Sequence, residues 1–511
     1  MYESIICSDQ LEADRRQTIV VVGGGLGGLF TGALLAKNGR VVTVLEKNSA
    51  LGGGLHTFRR GGVEYATGMH VFGGFSEGNI MDRICRYLGI DKSLHLVATD
   101  ADCMDEVFTP YGRYRIPQGR ENYVGYLSTL FPHEAEGIRQ YVDALYRLAS
   151  AEMSSFLDNA SSSGALGEDQ FLWPADALID YYVADPRLRS LLSYLAPLYS
   201  GIKGETPAFE HAMVNTLHID GSSMFASGSQ RMADALAGVI RDAGGEIVTG
   251  CEVERVVVAE RRAVAVETVE GRRFEADQFV WAVDPRQLVE KASGGTFPQS
   301  FCNRVKEATY SYSAFKLYLK LGHGMISYTK HPMYFFNGDD ERGAWNAADV
   351  SIGDWPRCAM AVMGGEQGAV NGEQTAETMT VVAPMSYDWF GRWSDSVVGH
   401  RPEDYYLFKK KLEQKLFALL RRYMPELEGS VESVFSSTPL TIRDYNGIHR
   451  GSMYGFHKDC NHIMYTKMSV NTKVGNLFMT GQSVNLHGMC GVAITSVMAA
   501  EAIMPEKKLL E

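Results

Sequence analysis

The sequence predicts a mixed α/β protein with more than one domain, and three observations carry that prediction. The chain has 511 residues, which is too long for one hydrophobic core. Apolar residues make up 45% of it and charged residues 22%, which excludes the disordered and fibrous classes. Near its start, a β-branched run passes directly into a glycine-rich turn and a segment with helical spacing, as in nucleotide-binding strand–turn–helix units.

The first predicted elements are a strand, a helix and a second strand over residues 18–47. Residues 19–22 are all β-branched and predict a buried parallel strand. Residues 29–37 predict the helix, and residues 40–45 predict the second strand. Glu46 closes that strand 23 residues after Gly23, which is where an acid that binds the adenosine ribose follows such a glycine turn.

The turn between the first strand and the helix contains Gly23, Gly25 and Gly28 in G-x-G-x-x-G spacing. The first glycine permits the tight turn, the second permits close approach of a pyrophosphate, and the third lets the helix pack on the strand. The helix N-terminus offers free N–H groups to the phosphates. The unit therefore predicts dinucleotide binding by Gly23, Gly25, Leu26, Gly27, Gly28, Glu46 and Lys47.

A second glycine turn at residues 51–54 indicates that the dinucleotide is FAD. It follows Glu46 within five residues, which suits a long cofactor lying extended across the fold, as in glutathione-reductase-like flavoproteins. The glycines at 364–368 have the wrong spacing for a further nucleotide turn, so we expect no built-in NAD(P)H site. The predicted fold is α/β: a glutathione-reductase-like FAD-binding Rossmann domain with an α+β substrate-binding domain.

The segment LGGGLHTFRRGGVEYATGMHVFGG, residues 51–74, resembles the corresponding segment of retinol saturases and carotenoid isomerases. These enzymes belong with the phytoene desaturases to one flavoprotein family, which is related to the flavin amine oxidases. The chain departs from that family at Gly54, where many members carry Arg, and at Ala66, where many carry Asp. The resemblance implies contacts with the flavin or its phosphates at Gly53, Gly54, Leu55 and His70.

The segment VGNLFMTGQSVNLHGMCGVAITSVMAAEAIM, residues 474–504, resembles the family's C-terminal FAD motif. It predicts a strand at 476–480, a turn, and a helix that begins after His487. A helix N-terminus beside the flavin stabilises negative charge on the reduced ring. The resemblance implies cofactor contacts at Gly481, Gln482, Gly488, Met489, Gly491 and Val492, and places the backbone near Val253 against the adenine.

The segments between these motifs predict how two domains share the chain. Residues 107–150 predict a hairpin followed by helices that break at 131–132, and residues 151–165 predict a polar loop. Residues 171–215 predict helices whose aromatic side chains either pack in a core or line an apolar channel. The predicted limits are 18–75, 220–300 and 430–511 for the FAD-binding domain, 76–219 and 301–429 for the substrate-binding domain, and 1–17 for an N-terminal tail.

The resemblance also implies a reaction, because that family acts on long conjugated or isoprenoid hydrocarbons. We expect an FAD-dependent oxidoreductase that saturates, desaturates or isomerises carbon–carbon double bonds of a polyene, an isoprenoid or a related lipid. Such an apolar small molecule binds through its buried area. Its electrons would come from or pass to an external partner, namely a reductase, a quinone or NAD(P)H.

Three residues are candidates for catalysis. His70 and His487 are either proton carriers, flavin-tuning groups or simple caps of turns, since an imidazole titrates near neutral pH. Lys316 falls where flavin amine oxidases carry a lysine that contacts flavin N5 through a water molecule, and the other interpretation is an ordinary strand lysine.

Two other functions stay open at this point. A flavin amine oxidase is favoured by Lys316 and opposed by Met489, which stands where amine oxidases place an aromatic residue of the amine cage. A non-catalytic escort protein for prenylated or lipid partners, like the Rab escort proteins, has the same general architecture and binds no flavin. The intact nucleotide motif argues against the escort function.

Charge and cysteine usage limit the partners and the location. A net charge of −12 argues against a nucleic-acid partner. Eight cysteines without a C-x-x-C pair predict reduced thiols. His457, Cys460 and His462 lack the four-ligand spacing of a zinc site, so we expect no metal. A short acid-rich N-terminus and the lack of a long apolar run predict a cytoplasmic enzyme, with peripheral contact with a membrane left open.

Overall fold

A five-stranded parallel sheet is assembled from three separate parts of the chain. The computed structural model describes residues 16–157, 167–226, 228–338, 343–365 and 374–510. The strand order across the sheet is Glu246–Val248, Val41–Leu45, Thr18–Val22, Gln278–Trp281 and Leu477–Met479. The central strand is buried at four of its five residues, as expected for a parallel strand covered on both faces.

Different layers cover the two faces of this parallel sheet. On one face, the helix Leu26–Lys37 packs between the helices Gln230–Asp242 and Gly488–Ile503. The other face packs against an antiparallel sheet that comprises Val253–Ala259, Arg262–Thr268 and Arg273–Glu275. This arrangement is the predicted Rossmann-type domain, and the predicted α/β fold class is confirmed.

A second, seven-stranded sheet lies outside the parallel sheet. Its strand order is Val431–Ser437, Ser313–Leu321, Ala376–Met385, Cys358–Gly365, Met333–Phe336, Asp105–Thr109 and Gly112–Ile116. All neighbouring strands are antiparallel except Met333–Phe336 and Asp105–Thr109, which run parallel. The helix Glu403–Tyr423 covers one face and shares a core with it.

Alternation along the strands sends the other face of this sheet toward a cavity. In Ser313–Leu321, Phe315 and Leu317 join the core beneath the helix, whereas Ala314 and Lys316 line the cavity. Since successive side chains in a strand point to opposite faces, one strand both packs the core and forms the cavity wall.

Helices and short sheets complete the described part of the chain. A helical layer comprises Arg120–Leu130, Ala135–Leu157, Ala175–Tyr182, Pro186–Leu192 and Ala208–Ile219. Shorter helices are Ile80–Leu88, Pro285–Lys291, Gln299–Glu307, Pro439–Asn446 and Ile463–Thr466. One small sheet contains Phe72–Gly73, Ser222–Phe225 and Leu96–Ala98, and another pairs Thr57–Arg60 with Val63–Ala66.

The polar loop predicted at 151–165 is wrong over its first residues. The helix Ala135–Leu157 continues through them, because Glu152 is buried on it and accepts a 2.6 Å hydrogen bond from Lys467 Nζ. Residues 158–165 of the predicted loop lie outside the described residues. The predicted hairpin and the helix break at 131–132 are confirmed.

The domain limits stay a prediction, and the pairing of one strand bears on the limit at residue 430. The strand Val431–Ser437 pairs with Ser313–Leu321 in the seven-stranded sheet, although residues 430–511 were assigned to the FAD-binding domain. Within the described residues, no helix is both long and apolar enough to cross a membrane. The seven cysteines in this part of the chain all carry free thiols.

Candidate active site

A cavity of about 400 Å³ lies between the carboxyl ends of the parallel strands and one face of the seven-stranded sheet. Val22, Leu45 and Trp281 line it from the parallel sheet. Ligands of α/β proteins bind at this edge of a parallel sheet, and the volume falls within the roughly 300–1,000 Å³ of small-molecule sites. This cavity is therefore the candidate site.

The predicted glycine turn forms the first wall. Gly23 has a φ of +107°, and a Cβ there would lie 2.8 Å from Val283 Cγ2, so only glycine fits. A Cβ on Gly28 would lie 1.9 Å from the carbonyl oxygen of Gly23, which ties the helix to the strand. A Cβ on Gly25 would meet no protein atom within 4 Å, although this residue lines the cavity. Space at this backbone is what a bound pyrophosphate needs.

The Glu46 carboxylate holds the turn in place. Its Oε2 accepts a 2.8 Å hydrogen bond from the Gly24 N–H, and its Oε1 accepts one of 2.8 Å from the Asn48 N–H. The side chain lines the cavity and is buried. Each carboxylate oxygen retains a further lone pair, so ribose binding by Glu46 is compatible with these bonds and stays a prediction.

The second glycine turn lies directly against the first. The Gly52 N–H donates a 2.9 Å hydrogen bond to the Gly24 carbonyl, and Gly25 and Gly52 form a parallel bridge. Gly54, where many relatives carry Arg, has no protein atom within 4 Å of a Cβ position. The departure from the family therefore leaves this side of the cavity open.

The C-terminal motif closes the site from the other end of the chain. A Cβ on Gly27 would lie 2.9 Å from Gly481 Cα, so the N-terminal and C-terminal glycine turns touch. The helix Gly488–Ile503 begins at the cavity, and its N-cap residue His487 makes no capping hydrogen bond with its side chain. The first-turn N–H groups are thus left without a side-chain cap, as at sites that bind negative charge.

Lys316 and His70 both lie in the cavity wall, and the charge of the lysine affects the protonation of the histidine. Lys316 Nζ donates a 2.5 Å hydrogen bond to the Thr67 carbonyl, and burial lowers the pKa of Lys316 to about 8. Burial, with the added charge of Lys316, lowers the pKa of His70 to about 3. His70 is therefore neutral near pH 7, which favours a role in hydrogen bonding over one as a cationic proton donor.

His487 lies beside the carboxyl group of Glu210. Nδ1 of His487 lies 3.0 Å from Oε1 of Glu210, and the side chains are only 7% and 4% exposed. Oε2 of Glu210 has no hydrogen-bond partner within the described residues. The ring of Tyr454 packs on the imidazole at 5.0 Å between centroids. His487 and Glu210 are therefore two titratable groups that lie side by side and buried in the cavity wall.

The rest of the cavity wall is largely apolar and aromatic. Tyr194 lines it from the helical layer and Tyr312 from the start of the strand Ser313–Leu321. Their hydroxyls donate to the Asp105 carboxylate and the Pro197 carbonyl, respectively. Both interpretations of the aromatic residues at 171–215 therefore hold, since Tyr194 lines the cavity and Phe171 packs in the core. The apolar wall also includes Met69, Val71, Leu198, Met213, Val214, Leu217, Phe336, Met360, Val382 and Leu486.

The structure gathers nearly all of the predicted site residues around this one cavity. Gly28 is the exception, since it packs between helix and strand and does not line the cavity. The predicted residues that line it are Gly23, Gly25, Leu26, Gly27, Glu46, Lys47, Gly53, Gly54, Leu55, His70, Val253, Lys316, Gly481, Gln482, His487, Gly488, Met489, Gly491 and Val492. Their individual roles stay predictions.

Sequence reasoning missed Glu210 and Tyr334. Glu210 lies on the helix Ala208–Ile219, ten of whose twelve residues are buried. A buried carboxylate requires a partner, but the sequence of this helix, AFEHAMVNTLHI, mixes polar and apolar residues and does not mark it as a core helix. Tyr334 lines the cavity, and its hydroxyl has no hydrogen-bond partner among the described residues; no local signal in the sequence marks it.

The site fits an extended flavin dinucleotide on three observations. The space at Gly25 admits a close phosphate. Two helix N-termini without side-chain caps, at Leu26 and Gly488, meet the cavity. Nε2 of His70 is buried without a hydrogen-bond partner within the described residues, and a buried polar atom of this kind requires a ligand or water.

Comparison with known proteins agrees with this geometry. The family model for flavin-containing amine oxidoreductases matches residues 26–504. The all-trans-retinol 13,14-reductase of Rattus norvegicus is 27% identical over 531 residues, covering 95% of this chain and 85% of that protein. A chloroplastic prolycopene isomerase of an Oncidium hybrid cultivar is 26% identical over 287 residues, covering 53% and 49%.

A solved structure has the same overall fold. An oxidoreductase from Methanosarcina mazei superposes with a TM-score of 0.62 at 16% identity, covering 96% of this chain and 100% of that one. At this level of identity the similarity concerns the fold alone.

Proposed function

The chain belongs to the family of flavin-containing amine oxidoreductases, and on that premise we propose that it acts on carbon–carbon double bonds of an apolar polyene. The predicted family resemblance, the FAD cofactor and the class of FAD-dependent oxidoreductase are confirmed. The substrate class follows the relatives, which are named for a retinoid and a carotenoid.

The apolar face of the seven-stranded sheet is the observation that carries this proposal. It presents Tyr334, Phe336 and Met360 to the cavity, opposite the glycine turn. A polyene offers almost nothing to hydrogen-bond, so its binding must come from apolar area at about 25 cal/mol per Å². A wall of aromatic and thioether side chains supplies that area and tolerates a long flexible ligand.

FAD, when bound, supplies hydride or single-electron transfer at its N5 atom. The glycine turns at Gly23 and Gly481 would hold the cofactor, and the apolar wall would exclude water from the reacting bond. Lys316, at a pKa of about 8, and neutral His70 provide hydrogen-bonding groups beside the apolar wall. Their burial makes each such bond stronger than it would be in water.

We assign the proton that saturation requires to the His487–Glu210 pair. Adding hydrogen across a double bond consumes one hydride and one proton. His487 Nδ1 and Glu210 Oε1 lie 3.0 Å apart in the cavity wall, so a proton exchanged between them would be shielded from bulk water. In isomerisation, the substrate would return the proton to the pair, so no net transfer occurs. In desaturation, the proton would move from the substrate to the pair.

Electrons for net saturation, or an acceptor for desaturation, come from an external partner in this proposal. The partner is external because the sequence contains no further nucleotide turn that would form a built-in NAD(P)H site. A reductase, a quinone or free NAD(P)H would fill this role. The expected cytoplasmic location and peripheral membrane contact belong to the same proposal, since they would bring the enzyme to an apolar substrate.

The test is anaerobic reduction of the FAD-loaded enzyme, incubation with all-trans-retinol or a carotenoid, and mass spectrometry of the extract. A product with two more hydrogen atoms identifies a saturase, and an unchanged mass with a shifted retention time identifies an isomerase. Loss of two hydrogen atoms with the oxidised enzyme identifies a desaturase. Turnover of amines with peroxide release, and none of polyenes, would instead establish an amine oxidase.

A further inference from the structure

A cluster of metal-ligand side chains lies outside the cavity, beside the strand Asp105–Thr109. Cys103, Glu106 and His331 are buried, and one ligand atom from each lies within 4.8 Å of those of the other two. Asp105 points to the opposite face of the strand, where its carboxylate accepts a 2.7 Å hydrogen bond from Tyr194 of the cavity wall. The cluster and the cavity thus share a strand but lie on different faces of it.

His331 supplies an independent sign that a ligand is missing. Its side chain is 6% exposed, and neither ring nitrogen makes a hydrogen bond within the described residues. Nε2 lies 3.6 Å from Glu106 Oε2, and Nδ1 lies 3.5 Å from Asp100 Oδ2 on the other side of the ring. A buried imidazole whose nitrogens make no hydrogen bond is costly. A carboxylate behind the second ring nitrogen is the arrangement that orients metal-binding histidines.

The charges around the cluster favour a cation at its centre. Arg113 Nε donates a 2.6 Å hydrogen bond to Glu106 Oε1, which leaves Oε2 on the side of His331. Arg115 interacts with the Cys103 thiol. Glu106 Oε2 lies 3.6 Å and Asp100 Oδ2 lies 3.5 Å from the imidazole of His331, so carboxylate oxygens face the ring from both sides and would attract a cation at the cluster.

We propose that Cys103, Glu106 and His331 form a zinc-binding site. A thiolate, an imidazole and a carboxylate are ligands that Zn²⁺ accepts, whereas Mg²⁺ and Ca²⁺ require oxygen ligands. Bonds of about 2.0–2.3 Å in a tetrahedron place ligand atoms about 3.3–3.6 Å apart. Nε2 of His331 and Oε2 of Glu106 already lie 3.6 Å apart, and no pair in the cluster is farther apart than 4.8 Å. Water would complete the fourth position, because Asp100 lies behind the other ring nitrogen.

The site would join segments that are distant in sequence. Cys103 precedes the strand Asp105–Thr109, Glu106 lies on it, and His331 precedes its parallel neighbour Met333–Phe336. The ion is therefore structural, because it fixes the start of both strands, one of which carries Tyr334 into the cavity wall. This inference stands apart from the proposed reaction and departs from the expectation that the chain binds no metal.

The experiment titrates the FAD-loaded full chain with Zn²⁺ against a chromophoric chelator, and measures metal content after dialysis. We expect one equivalent per chain, and at least a tenfold loss of affinity in Cys103→Ser and in His331→Gln. Cys85→Ser, which alters a buried cysteine on the helix Ile80–Leu88, is the matched control and should bind as the wild type does. Failure of the wild type to bind one equivalent, or equal binding by all variants, would overturn the proposal.

A second measurement uses only the wild type, so it tests the site even if the substituted variants do not fold. X-ray absorption of the zinc-loaded protein should show one sulfur ligand at about 2.3 Å among nitrogen and oxygen ligands. A coordination shell without sulfur places the ion elsewhere and refutes the site.

Discussion

The Nδ1 atom of His487 lies 3.0 Å from Oε1 of Glu210, and both side chains are buried in the cavity wall. Replacing Glu210 with Gln keeps the shape of the side chain and removes its charge. General acid–base groups contribute about 10²–10⁴-fold to a rate, so Glu210→Gln should slow polyene turnover by at least about 10²-fold. Single-turnover kinetics of the reduced, FAD-loaded enzyme across a pH series measure this loss.

A matched carboxylate is available as the control for Glu210→Gln. Glu205 pairs with His457 at 3.1 Å but is 47% exposed. Glu205→Gln should therefore leave the rate and its pH profile close to those of the wild type. Equal effects of both substitutions would contradict a specific role for the His487–Glu210 pair.

Two glycines of the same turn should respond differently to substitution by alanine. Gly25→Ala meets no protein atom, so it should fold normally but weaken FAD binding at least tenfold, because the new methyl group takes the space of the pyrophosphate. Gly28→Ala places a Cβ 1.9 Å from the Gly23 carbonyl oxygen, so it should lower the melting temperature itself. Flavin content and thermal unfolding of the apoproteins separate the two effects, and retention of full flavin by Gly25→Ala would show that the phosphate lies elsewhere.

Glu46→Ala should weaken FAD retention and also loosen the turn. The substitution removes the acceptor of the Gly24 and Asn48 N–H groups, and a lost charged hydrogen bond costs about 1.5–3 kcal/mol. Glu46→Gln keeps an acceptor oxygen and should recover part of the stability. Equilibrium dialysis of FAD and urea unfolding measure the two quantities, and unchanged flavin content in Glu46→Ala would refute the ribose role.

The nucleotide half of the site was predictable because its signals are local. Gly23, Gly25, Gly28 and Glu46 lie within one strand–turn–helix–strand unit, where each residue type has a geometric reason. The parallel sheet could also be inferred from the continuous apolar run at residues 19–22, which lies within the observed strand Thr18–Val22. The C-terminal motif was found only through resemblance, since nothing in its composition places it against Gly27.

The acid–base pair and the metal cluster were not predictable, because they join residues far apart in the sequence. Glu210 lies on a core helix and His487 at the start of the last one, and no periodicity links them. His331 meets Glu106 only because two distant strands are parallel neighbours. The register of the seven-stranded sheet decides both the cavity wall and the cluster, and register requires the tertiary structure.

Lys316 should give the stability of the apoprotein a measurable pH dependence. Burial lowers its pKa from 10.5 to about 8, so between these pH values the unfolded state binds more protons than the folded state. Stability therefore rises as pH increases from 8 to 10.5, by about 3 kcal/mol in all for this residue. Lys316→Met removes that dependence, whereas Lys320→Met alters a partly exposed lysine that pairs with Glu432 at 2.9 Å and should keep it. Urea unfolding at about pH 7.5 and about pH 9.5 tests this difference. If the free energy of unfolding changed equally with pH in the wild type and in Lys316→Met, this lysine would not be held in a site that disfavours its charge.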